Sequence, residues 1–199
     1  MTATAYTEGS VEANGRRLRY VEAGHGVPLV HLQPVGELRR TSAHDLLSRH
    51  FRVLLLETPG VGDDDAGVVA AALATHGVET FNLVASGVAA EAALRLARQA
   101  PERVLAVVLE TPPAIPSRGR EDPAARTIAT LVLIGTRAGA AGVGRVVAER
   151  IPGCQLVFVY DTGPAIAVDR PEAFAEVVTD FLERHEAFVI SRAETVIYP

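Results

Sequence analysis

Residues 81–112 read FNLVASGVAAEAALRLARQAPERVLAVVLETP and decide the fold of this 199-residue chain. The stretch begins with a short apolar run, passes through a turn of small residues, continues as an alanine-rich segment with helical spacing, and ends in a second apolar run at 104–110. Apolar runs without polar alternation are typical of strands that are buried on both faces of a parallel sheet, and helices join such strands. The stretch therefore predicts a strand–helix–strand unit of an α/β protein.

The same alternation continues along the rest of the chain. Buried strands are predicted at 29–32, 53–57, 81–85, 104–110, 131–135 and 156–160, and helices at 37–49, 65–75, 88–99, 140–149 and 171–185. The start differs, because the runs 11–13 and 18–21 flank Asn14 and Gly15, a dipeptide that favours the tight turn of an antiparallel hairpin. We expect one α/β domain over residues 1–199, with a mostly parallel sheet, helices on both faces and an N-terminal hairpin.

Two segments fall outside this pattern. Segment 111–126 contains four prolines and is predicted to be a loop without a domain inside it. Segment 186–199 is predicted to pack on the domain or on a neighbour, because apolar side chains are frequent in it and a free terminus is normally polar. A strand-like tail beside an open sheet edge favours a closed pair of copies, so we predict a homodimer.

Composition and charge exclude several classes of protein. Hydrophobic residues make up 48% of the chain, but no apolar run approaches the ~18 residues of a membrane span, so no membrane contact is expected. The formal net charge is −5, and the basic residues are arginines scattered along the chain, so no nucleic acid is expected as a partner. A single cysteine, Cys154, and the lack of an apolar leader are typical of a cytoplasmic protein. The sequence predicts no metal and no cofactor.

Five segments, taken in order and spacing, resemble the α/β-hydrolase fold family. They are RYVEAG at 19–24, PLVHL at 28–32, LLLETPGVGDDD at 54–65, the strand–turn–helix that begins at 82, and VDRPEAFAEVVTDFLERH at 168–185. The resemblance covers nearly the whole chain and implies the α/β-hydrolase fold. Members of the family often carry a lid domain after the strand that here ends at Glu110, and the short segment 111–126 implies a lidless protein.

In this family the catalytic serine lies on a sharp strand-to-helix turn, with small residues two positions before and two positions after it. Here Ala85 and Ala89 supply the small residues, and this register places Gly87 at the nucleophile position and Ser86 one position early. A register shifted by one makes Ser86 the nucleophile but places valines at both positions that must be small. Glycine adopts the strained backbone conformation of this turn without cost.

The other triad positions also depart from the family pattern. The acid usually follows the next-to-last core strand in a G-x-x-D pattern, where this chain has Ala138. The base usually lies in a G-H pair before the last helix, where this chain has Pro164. The oxyanion loop, usually H-G, reads Gln33-Pro34. The resemblance thus implies a pseudoenzyme with a degenerate Ser-His-Asp triad.

Histidines and the cysteine are the remaining candidates for catalysis. His31 lies within a strand and is predicted to be a satisfied interior histidine, with a role as a base as the alternative. His25 lies in a glycine-rich turn and is predicted to be exposed, while Cys154 lies at the amino-end face of the sheet and is predicted to be a poor nucleophile. The other four fall on helices or at helix ends and are predicted to be solvated: His44, His50, His76 and His185.

Ligands of open α/β sheets bind beyond the carboxyl ends of the strands. In the strand order of the family, this edge presents Glu57, Gln33, Ser86 with Gly87, Glu110, Arg137 and Asp161. Glu110 lies where some members, haloalkane dehalogenases among them, carry their acid, but its simpler interpretation is an ion pair with Arg137, flanked by Asp161. The three aspartates at 63–65 favour the start of a helix over a cation site.

The predicted ligand pocket consists of Gln33, Ser86, Gly87, Val88, Glu110 and Arg137. Two functions are open at this point. The first is non-catalytic, with the chain binding a small acyl or aromatic ligand or acting as a subunit of an assembly. The second is divergent hydrolysis of small esters, with Ser86, Glu110 and His31 as the candidate catalytic residues.

Overall fold

The computed structural model describes residues 4–59, 65–114, 128–185, 188 and 197–198. Its strands are β1 (Thr7–Ala13), β2 (Arg16–Ala23), β3 (Pro28–Gln33), β4 (Arg52–Glu57), β5 (Phe81–Ser86), β6 (Val104–Glu110), β7 (Ala129–Gly135), β8 (Gln155–Val159) and β9 (Ile197–Tyr198). They form one sheet in the order β1-β2-β4-β3-β5-β6-β7-β8-β9. Every pair from β4 to β9 in this order is parallel. The predicted α/β architecture with a mostly parallel sheet is confirmed.

The N-terminal hairpin forms at the predicted turn. Asn14 and Gly15 have φ angles of 48° and 73°, the left-handed values that a two-residue hairpin turn of this kind requires at both central positions. The second strand of the hairpin continues the sheet by pairing antiparallel with β4, with Tyr20 opposite Leu56. The hairpin therefore forms one edge of the sheet.

Helices cover both faces of the sheet. They are α1 (Ser42–Leu47), α2 (Asp65–Thr75), α3 (Ala89–Gln99), α4 (Ala141–Arg150), α5 (Ile166–Asp169) and α6 (Pro171–Arg184). One apolar core lies between the sheet and α2, α3 and α4, where Leu73 and Leu96 are buried. The other lies under α1, α5 and α6, where Leu47 and Phe174 are buried. Successive residues of a strand point to opposite faces, so each central strand contributes to both cores.

The first helix is shorter than predicted. The sequence predicts a helix at 37–49, but α1 spans only Ser42–Leu47. The side chain of Gln33 accepts a hydrogen bond from Arg39 N at 2.6 Å and donates one to Arg39 O at 3.0 Å. These two bonds hold the segment between β3 and α1 as a loop, so the helix begins only after its N-cap, Thr41. The other predicted helices and strands agree with the structure to within one or two residues at each end, except that β1 begins earlier, at Thr7.

The described part of the C-terminal tail contacts the rest of the chain. The Phe188 ring lies edge-on to the Phe181 ring of α6, with 5.3 Å between centroids, and is buried. The short strand β9 pairs with the end of β8, with Ile197 opposite Phe158. Most of segment 111–126 and the first two of the aspartates at 63–65 lie outside the described residues, and Asp65 begins α2.

Two features are missing from the part of the chain that the structure describes. No lid domain lies between β6 and β7 in residues 104–114 and 128–135. Nor does any described helix combine the length and the apolar character that crossing a membrane requires.

Candidate functional site

The sheet order places the strand ends in the predicted row. From β4 to β8, the carboxyl ends carry Glu57, Gln33, Ser86 with Gly87, Glu110, Arg137 and Asp161. The end of β5 therefore lies between the ends of β3 and β6. This is the part of the edge where the structure brings several polar side chains together.

Gly87 occupies the sharp turn between β5 and α3. Its φ of 55° lies in the left-handed region, as the register set by Ala85 and Ala89 predicts. A Cβ atom at this position would meet open space, so the backbone conformation and not crowding sets the cost of a side chain. The apex of the turn therefore carries no hydroxyl group.

The two other predicted triad positions carry no ionisable group. Ala138 lies half-buried in the turn after β7, and Pro164 is exposed in the loop after β8. Asp169, the last residue of α5, accepts a hydrogen bond from Gly163 N of that loop at 2.6 Å. Its carboxylate therefore stabilises the loop itself.

Ser86 begins a chain of hydrogen bonds that runs into the protein. Its Oγ lies 2.7 Å from Nε2 of His31 on the neighbouring strand β3. Nδ1 of His31 lies 2.9 Å from Nε2 of His44 on α1. Both histidines are buried, while Ser86 is half-buried at the edge of the sheet. The chain thus links the carboxyl edge to the layer formed by α1, α5 and α6.

Glu110 ends β6 directly opposite Ser86. Ser86 Oγ donates a short hydrogen bond to its Oε2, and Ala167 N of α5 donates one to its Oε1 at 2.8 Å. The residue is only 3% exposed. Burial raises the pKa of this carboxyl, and the hydrogen bonds from Ser86 and from the backbone of α5 act in the opposite direction. Among the described ion pairs, none includes Glu110.

The predicted ion pair between Glu110 and Arg137 is wrong. Arg137 Nε lies 3.2 Å from Asp161 Oδ1, and both of these side chains are largely exposed. Glu110 points toward α5 because it alternates with Leu109, which lies in the core under α2, α3 and α4. The predicted position of Asp161 beside Arg137 is confirmed.

A backbone N–H group fixes the direction of the hydrogen-bonded chain. Thr41 N donates to Nδ1 of His44 at 2.9 Å. That nitrogen is an acceptor, so the neutral ring carries its proton on Nε2 and donates to Nδ1 of His31. His31 in turn carries its proton on Nε2 and donates to Ser86 Oγ. The hydroxyl proton of Ser86 is then directed at Glu110.

Burial keeps both histidines neutral. It lowers the pKa of His31 well below the ordinary value of 6.5, and the neighbouring ring of His44 adds to this effect. It lowers the pKa of His44 to about 4. Phe174 stacks over His31 with 6.4 Å between ring centroids, so the surroundings of the pair are apolar. At neutral pH both rings are therefore neutral, and the hydrogen bonds that start at Thr41 N direct the Nε2 proton of His31 at Ser86.

The structure brings together only part of the predicted pocket. Ser86 and Gly87 lie at its centre, Glu110 contacts Ser86, and Val88 is 57% exposed beside them. Gln33 uses its side chain to hold the loop before α1, and Arg137 points to solvent beside Asp161. The three candidate catalytic residues Ser86, Glu110 and His31 belong to one cluster.

The predictions for the other histidines hold in part. His25 and His50 are exposed, as predicted. The prediction that His44 is solvated is wrong, because α1 begins at Ser42 and turns this side chain into the core, where it is fully buried. The same prediction for His76 is also wrong, because its Nε2 lies 2.7 Å from Glu22 Oε2 and the side chain is mostly shielded from solvent.

Cys154 behaves as predicted. Burial raises the pKa of its thiol to about 12, so it is a poor nucleophile at neutral pH.

His185 is half-buried, contrary to the prediction that it is solvated. Within the described ranges, no three histidine, cysteine, aspartate or glutamate side chains lie close enough to hold a metal ion.

Apolar and strained residues gather at the same edge of the sheet. Thr111 after β6 and Asp161 after β8 have φ angles of 44° and 56°, which are uncommon for residues other than glycine. Strained backbone of this kind is concentrated at functional sites. Four exposed apolar side chains lie in the loops and the short helix that follow the carboxyl ends: Val35, Val88, Tyr160 and Val168.

A separate groove lies between α1 and α6. Its volume is about 410 Å³, and Leu46, His50 and Glu176 are among the residues that line it. None of the residues of the Ser86 cluster lines this groove. The groove and the cluster are therefore distinct features of the α1 and α6 layer.

Comparison with known proteins identifies the fold. No protein-family model matches the chain, and no curated protein sequence matches it either. Solved structures do match: a predicted CIB-like hydrolase from Thermoplasma acidophilum is 17% identical with a TM-score of 0.71, over 90% of this chain and 99% of the other. The serine hydrolase CarC, involved in carbazole degradation, is 17% identical with a TM-score of 0.75, over 90% and 99% of the two chains. Carboxylesterase CesB from Bacillus subtilis is 15% identical with a TM-score of 0.72, over 89% and 92%.

These likenesses extend over nearly the full length of each protein. They show that the chain has the α/β-hydrolase fold, which the sequence resemblance implied. Because fold alone does not determine activity, the function has to be argued from the Ser86 cluster.

Proposed function

We propose that this protein is a non-catalytic member of the α/β-hydrolase fold class that binds a small ligand with an acyl or aromatic body at the carboxyl edge beside Ser86. The observation that carries the proposal is the direction of the hydrogen bonds at Ser86. His31 donates to Ser86 Oγ and the Ser86 proton is directed at Glu110, so the histidine does not act as the base of a Ser-His pair.

The turn after β5 supports the same conclusion. Gly87 has the backbone conformation of the nucleophile position but no hydroxyl, and Ala138 and Pro164 stand at the positions of the acid and the base. Loss of triad members typically removes several powers of ten in rate. In this proposal the site has the strand order and the sharp turn of a hydrolase, but the usual triad positions carry no hydroxyl, acid or base.

Exposed apolar side chains support ligand binding at this edge. Val35 and Val88 follow the two strands that carry His31 and Ser86, and both are more than half exposed. Pockets for small molecules combine apolar walls with a few placed polar groups, which here are supplied by the Ser86 cluster. A short apolar ligand with one polar end fits this combination.

We further propose that residues 1–199 form one cytoplasmic domain, that the tail 186–199 packs on it, and that the protein is a homodimer. The contact of Phe188 with Phe181 and the pairing of β9 with β8 support the packing of the tail. In the order of the sheet, β9 stands last and leaves an edge to which a second copy can bind. A role as an assembly subunit is the variant of this proposal in which the partner is a different chain.

A divergent hydrolase of small esters is the second candidate. The specific observation in its favour is the contact of the half-buried Ser86 with both His31 and Glu110. In that case Ser86 is the nucleophile and the buried Glu110 carboxylate takes its proton, because burial makes this carboxylate a stronger base than usual.

One experiment separates the two candidates. The intact protein, a Ser86→Ala variant and a Ser10→Ala control are assayed with a panel of activated esters and a serine-reactive phosphonate probe. The control serine is exposed on β1, and three strands separate β1 from β5 in the sheet. We expect equal rates and no labelling at Ser86. Turnover that disappears only in the Ser86→Ala variant refutes the non-catalytic proposal and supports the hydrolase.

A further inference from the structure

We propose that the site at Ser86 and Glu110 accepts hydrogen bonds from its ligand, so that the polar end of the ligand is an alcohol or a primary ammonium group and not a carboxylate. This inference rests on the proposed binding function and names the chemical class of ligand for the same site. It follows from the number of donors and acceptors at each atom of the cluster.

Ser86 Oγ has no proton left to give to a ligand. A serine hydroxyl has one proton and two lone pairs. The proton is directed at Glu110 Oε2, and one lone pair accepts from His31 Nε2 at 2.7 Å. Only the second lone pair remains, and a lone pair can do nothing but accept a hydrogen bond.

The buried histidines prevent this arrangement from reversing. His31 donates to Ser86 only while its Nδ1 accepts from His44, and His44 donates only while its own Nδ1 accepts from Thr41 N at 2.9 Å. Reversal would place two N–H groups face to face or leave the Thr41 N–H without an acceptor. Either change leaves a hydrogen-bonding group without its partner, which disfavours the reversed arrangement.

The carboxyl group of Glu110 selects in the same direction. Its oxygens accept from Ser86 and from Ala167 N at 2.8 Å, and no ion pair described for the chain includes it. Because burial raises its pKa, an ammonium group beside it favours the ionised form and is attracted to it, whereas a carboxylate at the same place disfavours that form and is repelled by it.

One feature of the edge favours the opposite chemistry. The N-terminus of α3, just after Gly87, presents backbone N–H groups that attract anions. Glu110 lies directly opposite Ser86, on the strand next to β5, so an anion at α3 also meets its carboxyl oxygens. A preference for an ammonium group therefore indicates that Glu110 determines which ligands bind, and a preference for a carboxylate indicates that the N-terminus of α3 does.

Three small probes with the same aromatic ring test the inference: benzyl alcohol, benzylammonium and benzoate. The intact protein is titrated with each at pH 7 while the backbone amide signals of Gly87 and Ala167 are followed by NMR. We expect saturable shifts with the alcohol and the ammonium compound, and a dissociation constant for benzoate that is about tenfold higher or more. Benzoate binding that is equally tight or tighter overturns the inference, and so does the lack of a saturable shift with all three probes.

Two variants test the assignment to named atoms. Ser86→Ala removes the accepting lone pair and is expected to weaken benzyl alcohol binding about fivefold or more, whereas Ser10→Ala leaves it unchanged. Glu110→Gln removes the charge and turns a donor toward Ser86 Oγ, which frees the Ser86 proton, so benzoate is expected to gain relative to benzylammonium. An unchanged preference in a folded Glu110→Gln protein contradicts the inference.

The outcomes also distinguish this inference from the proposed function. The selectivity among the three probes is measured on the unaltered protein and is informative even if a variant fails to fold. A preference for benzoate without ester turnover refutes only the inference. Ser86-dependent ester turnover refutes the proposed function and the inference together.

Discussion

A side chain at Gly87 costs stability through the backbone alone. Because φ is 55° and open space surrounds the position, Gly87→Ser is expected to lower the unfolding free energy by about 1–2 kcal/mol without creating esterase activity, since no base faces the new hydroxyl. Urea denaturation of the variant measures this. Gly142→Ser is the matched control, because Gly142 lies in α4 with open space and no left-handed φ. Equal midpoints for the intact protein and Gly87→Ser contradict the expected cost.

His44 is expected to make stability depend on pH. Its pKa is 6.5 in an ordinary setting and about 4 in the folded protein, so the unfolded chain binds more protons than the folded one between these values. The stabilising contribution is present above pH 6.5 and is lost as the pH falls toward 4. Between pH 7 and pH 5 this loss amounts to about 2 kcal/mol.

Denaturation at both pH values, compared between the intact protein and His44→Gln, isolates this contribution. Glutamine can also accept from Thr41 N and donate to His31, but it does not titrate. The comparison is needed because Glu110, with its raised pKa, changes stability in the opposite sense as the pH falls. The exposed His25 provides the control His25→Gln, which should keep the full pH dependence. The same dependence in His44→Gln as in the intact protein refutes the prediction.

Individual site residues were predictable only where the sheet alone places them. Ser86, Glu110 and His31 lie in or at the ends of parallel strands, so strand order is sufficient to bring them close together. The predicted partner of Glu110 is wrong because the position at the strand end does not by itself decide the face that a side chain occupies, whereas the alternation along β6 does. His44 was missed because its burial depends on where α1 begins. A threonine followed three residues later by a histidine was the available signal, since a side chain at that position can accept from the N-cap backbone.

At the scale of elements, Gln33 decides where α1 begins. Its amide both accepts from Arg39 N and donates to Arg39 O. In Gln33→Glu, a carboxylate still accepts but faces the carbonyl oxygen without a proton to donate, so we expect a loss of about 1–3 kcal/mol in unfolding free energy. Thermal or urea denaturation checks this against Gln99→Glu, whose glutamine is exposed at the end of α3. Similar stability of the two variants argues against this role for Gln33.

Strands were easier to predict than this helix for a physical reason. The parallel strands are buried on both faces, so each appears as an apolar run that local composition reveals, and β6 was predicted with the bounds it has. The start of α1 depends instead on hydrogen bonds from Gln33, which lies on another element. The short helix α5 was missed because four residues do not produce a helical period, although its backbone binds Glu110.

At the scale of the whole molecule, the Ser86 cluster joins the central strands to α1 and α5 through hydrogen bonds. His31 and Ser86 lie on central strands, His44 on α1, and Glu110 binds the backbone of α5. A buried polar network of this kind is stable only when each member is satisfied, which ties the geometry of the carboxyl edge to the packing of the helices above it. This network supports the proposed binding role of the carboxyl edge beside Ser86.

The tail is expected to matter for stability and for assembly. Phe188 is 7% exposed and packs on Phe181, so Phe188→Ala is expected to lower the unfolding free energy by about 3 kcal/mol. Val146→Ala serves as the control, because that valine is exposed on α4.

Removal of β9 by ending the chain at Glu186 also uncovers the edge of β8. We expect sedimentation to show a dimer for the intact chain and a monomer for the shortened one, since the edge formed by the tail is the proposed contact between copies. We also expect denaturation to show a lower stability for the shortened chain. Well-folded monomers of equal stability in both cases would show that the tail is dispensable.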